Sequence, residues 1–287
     1  MNPRVATHGV RSAVSCLAAS FILGVVMVNA DEAPAAPAAE VTTNISTAAS
    51  ATNAPAPAAP APAKDWSVTT SQDYFSMYIF RGVAVLKSNP IWSPSVIATY
   101  KNLTAYYYGY YGSGSDTVPG NKWYEEDDFA ADVHQGLFDD KLTVTAGAYG
   151  YLYPDGKSGK DTYEFYGKLA WSNYVNPYIG LNWDVHAIEG GYGVAGVTHT
   201  YDLTQMLKLK EGQSLSIIPS AQLGISFGYT QSDVNWNDVL LGINIPFNIT
   251  PALSVHAQYQ CSIALNSAHA VGAGNYSIAD VGISYSF

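Results

Sequence analysis

Cysteine is nearly missing from this chain, with two residues in 287, Cys16 and Cys261. Basic residues are also few, 13 Lys and Arg against 23 Asp and Glu. Beyond residue 30 no uninterrupted apolar run reaches the ~18 residues that a membrane-crossing helix needs. Each shortage excludes something. Cys16 falls in a segment that reads as a removable leader, so Cys261 would stand alone and no intrachain disulfide is expected. The acidic balance argues against nucleic acid or any other polyanion as partner. Without an apolar helix, a chain that enters a membrane must do so as strands.

The leader reading comes from the first 30 residues. Arg4 and Arg11 precede an apolar run from Ala13 to Val28, and Val28-Asn29-Ala30 supplies a small-residue cleavage site before Asp31-Glu32. A retained N-terminal anchor is the alternative, since the run approaches spanning length. Lipidation at Cys16 is disfavoured, because it sits inside the apolar run with no apolar stretch ahead of it. Losing residues 1–30 leaves 11 basic against 23 acidic residues, a formal charge of −12. Residues 31–64 are mostly Ala, Pro and Thr. Ala54-Pro55-Ala56-Pro57 and Ala59-Pro60-Ala61-Pro62 forbid helix and ladder alike, which makes this stretch a disordered, extended tether. The folded domain is expected over 65–287.

That domain is dominated by a two-residue period. From Ser214 to Tyr229 the odd positions read Leu215, Ile217, Pro219, Ala221, Leu223, Ile225, Phe227 and Tyr229. The even ones read Ser214, Ser216, Ile218, Ser220, Gln222, Gly224, Ser226 and Gly228. One face is apolar and the other small or polar. Similar strands are predicted at 66–81, 91–100, 103–111, 125–137, 142–152, 162–171, 177–186, 191–202, 214–230, 235–247, 253–263 and 276–287. About twelve strands, an even number, suit an antiparallel up-and-down transmembrane barrel. Connections alternate in length. Tight turns fall at Lys101-Asn102, Asp139-Asp140, 173–176 and 248–251, and longer links at 82–90, 112–122, 154–160 and 264–275. In such a barrel the short turns are periplasmic and the long loops external. The link from Leu203 to Gln213 is long where a short turn is expected.

A soluble sandwich or lipocalin-like barrel alternates too, but packs apolar residues inward. Here one face of strand after strand is Ser, Thr, Gln, Asn, Asp or Gly. In the last strand Val281, Ile283, Tyr285 and Phe287 oppose Asp280, Gly282, Ser284 and Ser286. Ending on an outward Phe287 resembles the assembly signal read by the outer-membrane insertion machinery, so outer-membrane lipid and that machinery are the expected partners. Of the 22 tyrosines, many fall near strand ends (Tyr100, Tyr111, Tyr163, Tyr201, Tyr229, Tyr285) and others on the inner face (Tyr106, Tyr108, Tyr110, Tyr149, Tyr151, Tyr166). Two features fit poorly. Pro219 lies inside the best strand and should force a bulge, and 191–202 has no clear phase, leaving the direction of His199 open.

By phase, the pore-lining charges are Asp73, Arg81, Glu126, Asp128, Asp132, Glu164, Lys168, Asp184 and Asp238. This acidic excess would favour cations or neutral solutes over anions in a narrow passage. Arg81 and Glu164 are the residues most expected to line or brace it. Glu125-Glu126-Asp127-Asp128 alternates across a strand and reads as a solvated strand end rather than a metal site. Asp155 to Asp161 lacks the ligand spacing of a calcium loop and reads as a turn. No catalytic motif is found: there is no Gly-x-Ser-x-Gly, no His-Glu-x-x-His and no paired cysteine motif. His134, His186 and His256 fall on the inner face by phase and read as wall residues. No cofactor or metal is expected.

Ser76-Met77-Tyr78-Ile79-Phe80-Arg81-Gly82 resembles the Ser-Asp-Tyr-x-Phe-Arg-Gly stretch of the TorF-type porins, also catalogued as the Gcw_chp family, with Met77 in place of Asp. Tyr149-Gly150-Tyr151-Leu152-Tyr153-Pro154 followed by Tyr163-Glu164-Phe165-Tyr166 is similar to that family's tyrosine-rich strand, Tyr-Pro turn and return strand. The resemblance implies an outer-membrane barrel with a pore and names no solute. Two functions follow for test, passive diffusion of small hydrophilic solutes or a plugged barrel with a structural or surface-interaction role.

Overall fold

The computed structural model describes residues 65–87, 89–113 and 123–287. The expected leader with Cys16, the tether and most of the link 112–122 lie outside the described residues. In chain order the elements are β1 (Trp66–Phe75), β2 (Tyr78–Phe80), β3 (Val83–Leu86), β4 (Ile91–Tyr100), β5 (Leu103–Ser113), β6 (Trp123–Leu137), β7 (Leu142–Leu152) and β8 (Thr162–Trp171). They continue with β9 (Pro177–Asp184), β10 (Gly191–Thr198), β11 (Tyr201–Asp202), β12 (Ser214–Phe227), β13 (Val234–Asn248), β14 (Leu253–Ala264), the short helix α1 (Asn266–Ala270) and β15 (Tyr276–Ser286).

Twelve of these strands form one antiparallel meander that closes on itself. The order runs from β10 back through β9, β8, β7, β6, β5, β4 and β1 to β15, β14, β13 and β12, and β12 pairs with β10. Successive strands β10 and β12 pair from Tyr192 opposite Ser226 to Thr198 opposite Ser220. The ring closes at the seam of the chain's ends, where Thr69 to Phe75 pair with Ser286 to Asp280 and the Phe287 amide donates to the Val68 carbonyl. No free edge remains in the ring, as a hydrocarbon environment demands.

The alternation decides which face meets lipid. Val281 (56% exposed), Phe165 (62%), Ile179, Trp183 and Ile283 stand on the perimeter. Asp73, Asp128, Glu164, Gln222, Ser262 and Ser284 are buried inside it. This is the inverse of a soluble barrel. It defines an antiparallel up-and-down transmembrane barrel of the outer-membrane type.

Several expected boundaries move. β1 ends at Phe75 rather than 81: the Ser76 amide still donates to the Ala279 carbonyl, but the Ala279 amide is taken by the Ser76 hydroxyl in place of a backbone carbonyl, and the chain turns inward beyond it. The link after it is not an external loop but the hairpin β2–β3, in which Phe80 pairs with Val83. β9 ends at Asp184, which puts His186 in an exposed loop, not on the inner face. The unphased segment separates into β10 and the two-residue β11. His199 lies between them, its ring packed 4.3 Å from those of Tyr174 and Tyr201.

The bulge expected at Pro219 is elsewhere. Pro219 stays in register opposite Ile243, and the shift falls between Gly224 and Ile225, where Asn237 is the extra residue of β13. A strand residue's N–H and C=O point to the same side. The Pro219 carbonyl accepts from the His199 amide, so its missing donor faces the gap between β10 and β11, where no ladder bond is lost.

The lipid-facing assignment sets a depth-dependent cost. Val281→Arg, at mid-strand, is expected to destabilise the folded barrel by about 2–4 kcal/mol, and Tyr285→Arg, near the end of β15, by about 0–1 kcal/mol. Reversible denaturant unfolding in lipid vesicles, followed by tryptophan fluorescence, measures the difference. Equal costs at the two positions would contradict the placement.

Candidate functional site

The interior is organised around the hairpin. Its turn residues Arg81 and Gly82 both have positive φ, 48° and 76°, as a two-residue type I′ turn requires. Glycine is also needed for space at 82, since a Cβ there would lie 2.8 Å from Asp238 Cβ. Arginine is an unfavoured residue at such a φ, and its contacts offset the strain. The guanidinium donates from Nη1 and Nη2 to Glu164 Oε1 and Oε2 at 2.7 and 2.5 Å. It lies 4.7, 5.0 and 4.2 Å from the rings of Phe80, Tyr192 and Tyr229. Both partners are buried, so the bidentate bond stands in for water.

The hairpin reaches right across the lumen. At its base Tyr78 stacks on Tyr110 of β5, 4.9 Å between centroids, and meets Tyr124 of β6 edge-on. At its tip the Arg81 carbonyl accepts from Asn237 Nδ2 of β13 at 2.7 Å. In the ring of twelve, β6 and β13 stand six strands apart, which is diametrically opposite. The bulge makes this contact possible. By adding a residue to β13 it turns Asn237 and Asp238 inward together, both fully buried, an effect typical of bulges.

Each expected wall charge can now be placed. Glu164 holds Arg81 and also accepts from Tyr151 at 3.1 Å and Asn182 at 3.3 Å. Asp238 accepts from Tyr192 at 2.6 Å and Asn237 at 2.8 Å. Asp132 accepts from Tyr106 at 2.9 Å and Tyr166 at 2.5 Å, with His134 Nδ1 at 3.8 Å. Glu126 accepts from Tyr124 and, at 3.3 Å, from Tyr153. Asp128 lies beside it on the same strand face. Lys168 is half-buried, its ammonium 5.4 Å from the centroid of Tyr178. Asp73 faces His256 at 3.4 Å.

Four placements differ from expectation. Arg81 is not on a strand wall but at the hairpin tip. Glu126 and Asp128 are no solvated strand end, because Tyr78 and Tyr124 of the aromatic layer cover them, although Glu125 and Asp127 do point the other way. Asp184 is buried at the rim, where it acts as a loop clamp. Its Oδ1 accepts from the amides of His186, Ile188 and Glu189, and its Oδ2 from Thr162 Oγ1 at 2.6 Å. Tyr229, expected in the interfacial girdle, turns inward over Arg81. The turn reading of Asp155 to Asp161 is matched: Asp155 Oδ1 accepts from the amides of Lys157 and Ser158.

Two inward residues were not among the expected wall charges. Asp280 carried the right alternation in the last strand, so its signal was present. Asn237 had none, since only the bulge turns it inward. The hairpin itself was signalled by Arg81-Gly82 between two short apolar runs.

No protein-family model matches the chain, and no curated protein sequence matches it. Solved structures similar to it are outer-membrane barrels. The NanC porin is 13% identical, with 76% of this chain and 98% of that chain covered and a TM-score of 0.48. The KdgM porin is 8% identical, with 77% and 99% covered and a TM-score of 0.49. An outer membrane channel from Pseudomonas putida F1 is 12% identical, with 77% and 95% covered and a TM-score of 0.48. At that level of likeness the barrel class rests on the strand pairing itself.

The Arg81–Glu164 bond generates a local prediction. Glu164→Gln leaves a buried guanidinium with half its partner, a loss of about 3–5 kcal/mol when nothing relaxes. The hairpin is expected to undock while the ring stays closed. Amide exchange over residues 78–86 should then quicken by about 100-fold, for a loss near 3 kcal/mol, with exchange in β12 to β15 unchanged. A uniform rise over the whole barrel would show that the pair holds the ring instead.

Proposed function

We propose that the chain is an outer-membrane channel for small hydrophilic solutes, narrowed by the Arg81–Gly82 hairpin and mildly selective for cations or neutral solutes. The observation that carries this reading is the inverted barrel, apolar outside, with carboxylates in excess inside. Arg81 neutralises Glu164. Asp73, Glu126, Asp128, Asp132, Asp238 and Asp280 then face Lys168 and two histidines. Low-dielectric walls focus the field of that excess, attracting cations and repelling anions.

The outward, exposed Phe287 supports insertion by the outer-membrane assembly machinery. The Ser76–Gly82 stretch and the tyrosine-rich Tyr149–Tyr166 stretch support membership of the TorF-type porins, with the hairpin formed in part by the first of them. We assign His134 and His256, whose ring nitrogens Nδ1 and Nε2 face carboxylates, to the polar wall and give the chain no catalytic role.

One observation favours a second reading. A hairpin that touches opposite walls can serve as a plug, leaving a non-conducting barrel with a structural or surface-interaction role. Planar-bilayer recording in unequal salt separates the two. The channel reading expects current from the intact barrel, with a reversal potential displaced toward the cation equilibrium potential, and larger conductance once Glu164→Gln frees the hairpin. A silent intact barrel that conducts only in the variant replaces it with the plug. Silence from both, in folded protein, removes the channel altogether.

A further inference from the structure

We infer that Asp73, His256 and Asp280 form a divalent transition-metal site on the inner wall. The three residues come from the adjacent strands β1, β14 and β15, and the register brings them together: Asp73 and His256 both lie opposite Gly282. His256 Nε2 is 3.1 Å from Asp280 Oδ2 and 3.4 Å from Asp73 Oδ1, and one ligand atom from each residue lies within 4.8 Å of the others. All three side chains are buried, Asp73 at 5% exposure and Asp280 at 3%.

A protein-only account of the cluster is incomplete. A single imidazole Nε2–H directs one good hydrogen bond, and Asp280 Oδ2 is the nearer acceptor. Asp73 Oδ1, aimed at the same nitrogen, and Asp280 Oδ1 have no hydrogen-bond partner among the described residues. Two buried carboxylates thus share at most one positive charge, where buried polar atoms are ordinarily satisfied. A divalent ion bound to both carboxylates and a neutral imidazole balances the charge and supplies the missing partner.

The local construction fits a ligand set. Gly282 leaves the space in which the groups converge, since a Cβ there would lie 2.0 Å from Asp73 Oδ1 and 2.3 Å from His256 Cε1. Ser71 Oγ donates to Asp73 Oδ2 at 2.6 Å and contacts Ser95 Oγ at 2.7 Å. This holds the second oxygen and turns Oδ1 toward the histidine, the orienting role that outer partners play around metals. Tetrahedral Zn²⁺ with bonds of ~2.0–2.1 Å sets its ligand atoms about 3.3 Å apart, which matches 3.1 and 3.4 Å. One imidazole with two carboxylates is a set for Zn²⁺ and its first-row neighbours rather than Ca²⁺. Three protein ligands leave a further coordination position for water or an anionic group of a passing solute. The reading does not depend on whether the barrel conducts.

The test is equilibrium dialysis of the purified, tag-free full-length barrel against Zn²⁺, with Co²⁺ absorption as the coordination probe. One equivalent of metal and the intense visible bands of low-symmetry Co²⁺ are expected. Asp280→Asn and His256→Ala should abolish that equivalent, and Ser71→Ala should weaken it by about 10–100-fold. Far-ultraviolet dichroism and heat-modifiable migration report folding. Should His256→Ala fail to fold, the near-isosteric Asp73→Asn takes its place beside Asp280→Asn. Absence of a stoichiometric site in the folded parent overturns the inference, as does one equivalent retained in the folded Asp280→Asn and Asp73→Asn barrels.

Discussion

Everything in this molecule depends on the ladder between β1 and β15, which turns a meander into a ring. A strand in hydrocarbon cannot leave an amide or carbonyl unpaired, because each orphan costs several kcal/mol and no water is present to relieve it. Closure satisfies the backbone entirely within the sheet. The strand geometry then assigns every second side chain to lipid and the others to the interior. Val281, Ile283 and Tyr285 on one side of β15, with Asp280, Gly282 and Ser284 on the other, follow from that division.

Closure transfers the difficulty from backbone to side chains. Carboxylates turned inward must be wetted, paired or hydrogen-bonded, and the interior uses different means around its circumference. Tyrosine hydroxyls serve Asp132, Glu126 and Asp238, while a guanidinium serves Glu164. The arginine arrives from neither neighbouring strand. It is carried across the lumen on a hairpin that gains apolar contact from Tyr78, Ile79 and Leu86 as it goes. A buried ion pair is a weak source of net stability but can fix which of several arrangements is adopted. Here it ties one hairpin to one place on the wall, and the Asn237 bulge supplies the complementary notch.

The ring was legible in the sequence because its signal is local. Period-two alternation on strands such as Leu142–Leu152 and Thr162–Trp171 gives their limits without reference to any partner. The interior was legible in part. Phase alone turned Asp73, Glu126, Asp128, Asp132, Glu164, Lys168 and Asp238 inward. The same rule failed where the chain leaves the ladder. It carried β1 six residues too far, to Arg81, and β9 two residues too far, to His186. It also could not see a bulge, since an extra residue in β13 depends on the pairing with Gly224 and Ile225. Proline was a poor guide to that bulge, because what matters is whether its absent N–H would have had a partner.

The hairpin and the ring differ in how tightly they can be held. Each barrel strand is fixed on both sides by a continuous ladder through hydrocarbon, and loosening one means exposing its backbone to lipid. The hairpin has only its own short pairing, an aromatic base and a polar tip. When the tip leaves Glu164 it enters a lumen lined with hydroxyls, amides and carboxylates, where water can solvate the guanidinium and reduce the cost of separation. Release of the hairpin is therefore a local opening far below the free energy of breaking the ring. The inward acids that make the tip bind are the groups that would solvate it once free, so a barrel closed against lipid can still contain an element that moves.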